Sequence, residues 1–155
     1  MPEVIVRIGV LVLVSMLLWL VAWSGRRFVE VQRRRALAAA PLVVSTGSDE
    51  VDVHSNPSAV RILAFSSADC LQCHQLQTPA LQRVMEAHGR DVSVLEVDAP
   101  SSLELTQRYR VLTLPTTVVL DVTGRAHAVN YGFANTQRLL EQVDEVLEHV
   151  PREVF

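Results

Sequence analysis

Apolar positions fall into two regimes along this chain. From Ile8 to Trp23 the run IGVLVLVSMLLWLVAW carries no charge, and Val4–Val6 before Arg7 and Ser24-Gly25 after it extend the stretch. Roughly 20 apolar residues span a bilayer core as a helix, so residues 1–25 read as one transmembrane helix. From Ala59 onward the apolar runs are short and alternate with helical stripes. Val60–Phe65, bounded by Ser66-Ser67, reads as a buried strand. Leu71–His88 reads as a helix with Leu76, Leu81, Val84 and Met85 apolar and a kink at Pro79. Val92–Val97 is a second strand. Ser101-Ser102-Leu103-Glu104 has the form of a capping box opening a short helix to about Tyr109. Thr116–Asp121 is a third strand, which Thr123-Gly124 turns into a fourth, Ala126–Tyr131. Asn135 caps a last helix with Leu139, Leu140, Val143, Val146, Leu147 and Val150 in one stripe, ended by Pro151. The order β-α-β-α-β-β-α predicts an α/β domain with a parallel βαβ unit followed by an antiparallel hairpin and a C-terminal helix.

Between the two regimes the composition changes twice. Residues 26–40 (RRFVEVQRRRALAAA) are basic and continue as helix for a few turns, within reach of anionic lipid head groups. Residues 41–58 turn to Ser, Thr, Gly, Asp, Asn and Pro, a tether with room for one short strand near Leu42–Ser45 or Val51–Val53. The predicted organisation is therefore an anchor over 1–25, a basic juxtamembrane segment and linker over 26–58, and a folded domain over 59–155. Trp19 and Trp23 suit an interface at one end of the span, and Arg7 suits snorkelling at the other. A cleaved signal peptide would want more charge before the apolar run and a small-x-small site after it; Arg26-Arg27 stand there instead. Arg26, Arg27, Arg33, Arg34 and Arg35 outnumber Arg7, and the positive-inside rule places the later side in the cytoplasm. An extracytoplasmic domain is the alternative.

Charge and cysteine usage narrow the function. The net charge is -3 and gives no reason to expect nucleic acid. All 14 basic residues are Arg. The two cysteines, Cys70 and Cys73, are two residues apart, so they staple no distant segments and fall short of a closed four-ligand zinc site. They follow a strand and open a helix, where the first turn brings residues three apart together. Free N–H groups and the helix dipole favour a thiolate there. Cys70 is thus the expected nucleophile and Cys73, one turn deeper, the resolving thiol. Asp69 before the pair opposes thiolate formation and His74 after it, when protonated, favours it; alternatively Asp69 only caps the helix and His74 is solvated. No cofactor is called for beyond the dithiol itself.

C-x-x-C alone also serves metals and haem. Here Thr113-Leu114-Pro115-Thr116 leads into the third strand and Gly132 follows the hairpin. With strand–Cys70-x-x-Cys73–helix, this arrangement resembles the thioredoxin family over about residues 59–150. The resemblance implies a thioredoxin-like fold, thiol–disulfide oxidoreductase activity and a cis-proline loop at Pro115 facing the cysteines. It also implies that Thr113, Leu114 and Pro115 contact the substrate, a protein disulfide or dithiol. A thioredoxin-reductase-like or membrane thiol donor would supply electrons. The chain departs from thioredoxins proper at Asp69, where Trp is usual, and at Leu71-Gln72, where Gly-Pro is usual. Ala64 stands where a buried carboxylate is usual, and Pro79 lies one residue late. Two readings compete. Cys70–His74 is literally C-x-x-C-H, a haem c attachment pattern, set in a context of strands that does not suit a cytochrome. A redox-inert thioredoxin fold could also serve as an interaction module at the membrane. A metal-transfer site at Cys70, Cys73 and His74 has nothing around it to recommend it. Tyr109 and Tyr131 read as core or rim, and His54 and His149 as solvated.

Overall fold

The structure is a computed structural model and describes residues 2–38 and 58–149. By contact density the chain divides into two compact units, residues 1–34 and 35–155. The short strand expected near Leu42–Ser45 or Val51–Val53, His54, and the helix end at Val150-Pro151 lie outside the described residues.

The first unit lies within one long helix, α1 (Pro2–Leu37), which runs without a break from the apolar stretch into the basic one. Its portion from Gly9 is long and apolar enough to cross a membrane, and a membrane anchor and a signal sequence fit that description equally. Leu11, Leu18 and Val21 are about two-thirds exposed, so this apolar surface has no protein partner among the described residues. Trp19 and Trp23 stack at 6.4 Å, and the Arg27 guanidinium lies 5.0 Å from the Trp23 ring.

The second unit holds a four-stranded sheet in the order β2-β1-β3-β4: β1 (Val60–Ser66), β2 (Val92–Asp98), β3 (Thr116–Leu120) and β4 (Ala126–Tyr131). β1 and β2 are parallel, while β1–β3 and β3–β4 are antiparallel, as the element order predicts. Every residue of β3 is buried, because the two central strands are covered on both faces. On one face Ile62, Ala64 and Val119 meet Leu81 and Val84 of α2 (Thr78–His88) and Leu139 and Val143 of α4 (Thr136–His149). On the other, Leu63, Phe65, Val118 and Val129 cluster with Tyr109, which follows α3 (Leu103–Arg108). A fully buried Val or Leu contributes about 1.5–3 kcal/mol, so these two clusters hold the sheet between its helices. The fold is a thioredoxin-like α/β arrangement, as expected.

Local details differ from expectation for identifiable reasons. The helix over 71–88 is not one kinked rod. A short opening turn leads into a wide, π-helical turn at Cys73–Gln77, and α2 proper begins at Thr78. Proline has no N–H and its ring crowds the carbonyl four residues back, so Pro79 denies that carbonyl its α-helical donor. The chain widens instead, and the Thr78 N–H and its hydroxyl both bond the Cys73 carbonyl. The capping box before α3 does not form: Ser102 makes no side-chain cap, and Ser101 donates its N–H and hydroxyl to the Asp98 carboxylate. β3 ends one residue early, because the Asp121 carboxylate accepts the N–H groups of Thr123 and Arg125 and shapes the turn. Asn135 does cap α4, accepting the Arg138 N–H at 2.9 Å. Asn130 of β4 and Gln142 of α4 form a reciprocal amide pair (2.8 and 3.0 Å), with Asn130 also donating to Thr117 Oγ1, so these buried polar groups are paired.

Candidate active site

β1, a central strand, ends at Ser66, and the next four residues turn the chain into the helix. The Cys70 N–H donates to the Ser67 carbonyl at 3.0 Å, closing the turn that starts the helix. The Cys70 carbonyl then accepts the N–H groups of Cys73 (3.1 Å) and His74 (3.3 Å). Cys70 and Cys73 are joined as a disulfide, with their Cα atoms 5.3 Å apart. The Cys73 N–H also points at Cys70 Sγ, 3.2 Å away. Cys70 therefore occupies the capping position, its sulfur where a cap oxygen would sit. A backbone N–H held at this distance from Cys70 Sγ at a helix start is the kind of donor that favours a thiolate. Cys70 is partly exposed, whereas Cys73 is only 3 % exposed. The sulfur reached first from solvent is the one beside the N–H donor.

Asp69 is exposed and makes no cap among the described residues, so the capping role considered for it falls to Cys70 itself. His74 is exposed, with Nε2 3.3 Å from the Ala68 carbonyl oxygen. Its ring is turned back toward the loop before the helix. Both Tyr109, buried, and His149, exposed on α4, stand where the sequence reading put them.

The Leu114–Pro115 peptide bond is cis. Pro115 is buried, and its carbonyl accepts the Gly132 N–H at 2.9 Å, while Thr116 Oγ1 donates to the Thr113 carbonyl at 2.7 Å. Thr113 is exposed and Leu114 half-buried, leaving this strand entry open to solvent just before the site. Gly132 has φ +82, so the residue that holds Pro115 uses a backbone conformation glycine adopts freely. A small cavity of about 20 Å³ lies behind the disulfide, with Cys73, His74, Gln77 and Pro115 among its lining residues, and Ala64, Ser66 and Glu96 from the strands. The structure thus brings Cys73, His74 and Pro115 to one place.

Two lining residues escaped the sequence reading. Gln77 is 3 % exposed; its Oε1 accepts the Ala134 N–H at 3.0 Å and its Nε2 donates to the Ala134 carbonyl at 3.2 Å. It fastens the helix of the cysteines to the loop after β4. The signal was present: Cys73, Gln77, Leu81 and Val84 recur at helical spacing, so Gln77 is a polar residue on the buried stripe. Glu96 is a charge at the inward phase of β2, after Val92 and Val94.

Comparison with known proteins agrees with this geometry. A sequence model of the thioredoxin family, described as "Thioredoxin", matches residues 43–145. A curated relative, the chloroplastic thioredoxin Y of Oryza sativa subsp. japonica, is 25 % identical over 128 residues, covering 83 % of this chain and 75 % of its own. Among solved structures, a mutant thioredoxin from Halobacterium salinarum NRC-1 superposes with TM-score 0.55 at 24 % identity, covering 68 % of this chain and 89 % of that one. Mitochondrial thioredoxin 3 from Saccharomyces cerevisiae superposes with TM-score 0.50 at 23 % identity, covering 57 % of this chain and 79 % of its own. At these identities the two structures speak for the fold.

Proposed function

The chain belongs to the thioredoxin family, and on that premise we propose that it is a membrane-tethered thiol–disulfide oxidoreductase acting through Cys70 and Cys73. The observation that carries this reading is the Cys70–Cys73 disulfide at a helix start, with the Cys73 N–H directed at Cys70 Sγ. In the reducing direction, the Cys70 thiolate attacks a substrate disulfide and forms a mixed disulfide, expelling one substrate thiolate. The Cys73 thiolate then attacks Cys70 Sγ, closing the intramolecular disulfide and expelling the second substrate thiolate. Two electrons pass from the dithiol to the substrate, and the steps run backwards when the protein oxidises. Thr113, Leu114 and Pro115 receive the substrate chain beside the sulfurs; the exposure of Thr113 and the place of Pro115 in the same cavity wall as Cys73 support that role. A thioredoxin-reductase-like enzyme or a membrane thiol donor returns the electrons. The helix over residues 1–25 is the anchor, and Arg26, Arg27 and Arg33–Arg35 hold the domain on the cytoplasmic side.

The test uses the full chain in mild detergent. With Cys73→Ser, a disulfide peptide is expected to form a stable one-to-one adduct on Cys70; with Cys70→Ser, none. In dithiothreitol-coupled insulin reduction, equal rates for wild type and Cys70→Ser would overturn the enzymatic reading in favour of a redox-inert module. Labelling of reduced Cys70 in intact cells by an impermeant maleimide would overturn the cytoplasmic placement.

A further inference from the structure

Before Cys73 can attack, its thiol must lose a proton, and burial works against that. At 3 % exposure its sulfur has little bulk water, and burial disfavours the thiolate. The proton needs an acceptor within the cavity behind the disulfide. About 20 Å³ is room for one water molecule, enough for a one-step relay. Two ionisable side chains besides Cys73 line that space, His74 and Glu96.

The two differ in placement. His74 is the next residue on the helix, and adjacent helical residues do not face the same way. Its ring is also drawn toward the Ala68 carbonyl, on the loop before the helix. Glu96 comes from β2, in register with Ala64 of β1, so the two side chains share the face that the cysteine helix covers. Nothing charged stands between: Ala64 presents a methyl group, and its other strand neighbour, Thr117, is occupied by Asn130. Asp98, in register with Ser66, is spent on Ser101. Asp69 is exposed and lies outside the cavity lining, and Pro115, which does line it, has no ionisable side chain to take up a proton.

We propose that Glu96, exposed at the solvent side of the cavity, is the proton acceptor for Cys73, working through one water molecule. The Cys73 S–H proton passes to the water as the water passes a proton to the Glu96 carboxylate. The Cys73 thiolate forms the new S–S bond with Cys70, the Cys70–substrate S–S bond breaks, and the departing substrate thiolate takes up a proton from Glu96 or solvent. The inference rests on the dithiol-exchange reading above, and it makes Glu96 a positioning and proton-accepting residue with no part in the first attack.

The experiment follows the two steps separately with the reduced full chain in mild detergent and dithiobis(nitrobenzoate) as the disulfide probe. Attack by Cys70 releases the first coloured thiolate, and resolution by Cys73 releases the second. Glu96→Gln is expected to leave the first phase unchanged and slow the second about tenfold or more at neutral pH, the lower end of general-base contributions. In wild type the second phase should follow a carboxylate-type inflection on acidification. In Glu96→Gln it should instead climb steadily with pH, and Glu96→Asp should keep the inflection. A second phase with wild-type rate and pH profile in Glu96→Gln overturns the proposal, as does loss of the inflection in His74→Ala alone. Failure of wild type to release even the first thiolate would overturn the dithiol reading instead.

Discussion

Gln77→Ala removes both partners of the Ala134 backbone while leaving that backbone where water does not reach it. Ala134 is 1 % exposed, and its N–H and carbonyl are each bonded to the Gln77 amide. A buried polar group left unpaired costs about 1–3 kcal/mol. With two such groups and partial relaxation of the loop, the expected loss is about 3 kcal/mol. At a urea slope of about 1.5 kcal/mol/M, that lowers the unfolding midpoint by about 2 M. Both tryptophans lie in α1, so their fluorescence does not report on the domain. The assay is urea titration of the oxidised full chain in detergent, followed by the near-ultraviolet circular dichroism of Tyr109 and Tyr131. Exchange of the Ala134 amide should accelerate in parallel. Gln77→Glu sharpens the test. A carboxylate still accepts the Ala134 N–H but confronts the Ala134 carbonyl, whereas a protonated acid can donate to it. The folded state would raise that carboxyl's affinity for its proton, so the variant's stability is greatest in acid and is lost as pH rises. A midpoint shift below about 0.3 M for Gln77→Ala, at the slope above, would refute the clamp.

Two further outcomes follow from single residues. Gly132→Ala should cost about 1–2 kcal/mol in the same titration, because φ +82 disfavours a Cβ while no atom lies within 4 Å of the one added; a loss above about 4 kcal/mol would mean packing rather than backbone is responsible. Burial pushes the Tyr109 phenol up to about 12 against a small opposing effect of Arg108, so the folded state holds this proton longer than the unfolded chain does. Tyr109 should therefore add no pH dependence below about pH 10 and a fall in stability between about 10 and 12. Tyr109→Phe should remove that fall, and at neutral pH should be neutral or slightly stabilising, since Tyr109 Oη has no partner among the described residues.

The order of elements was readable because period-2 and period-3.6 patterns report which side of a segment is buried, and every strand from Val60 to Tyr131 was found within a residue or so. The disulfide-bonded cysteine pair at a helix start was likewise readable, since a strand, two cysteines and a helix lie within one short segment. Caps and turns were less so. Ser101 and Asp69 each had a plausible local role, yet Asp98 claimed Ser101 and the Cys70 sulfur stood in the position considered for Asp69. Short polar side chains choose among nearby backbone groups whose positions depend on packing.

What the sequence by itself determined is the apolar helix, the alternation of strands and helices, and the dithiol opening a helix, because each is written in residues near one another along the chain. What only the tertiary structure decided is what surrounds the buried sulfur. Pro115 reaches it across the β1–β3 pairing, Gln77 ties its helix to Ala134, and Glu96 comes beside Ala64 through the β1–β2 register. Those neighbours are far apart in sequence, and a shift of one residue in register would turn Glu96 to the other face.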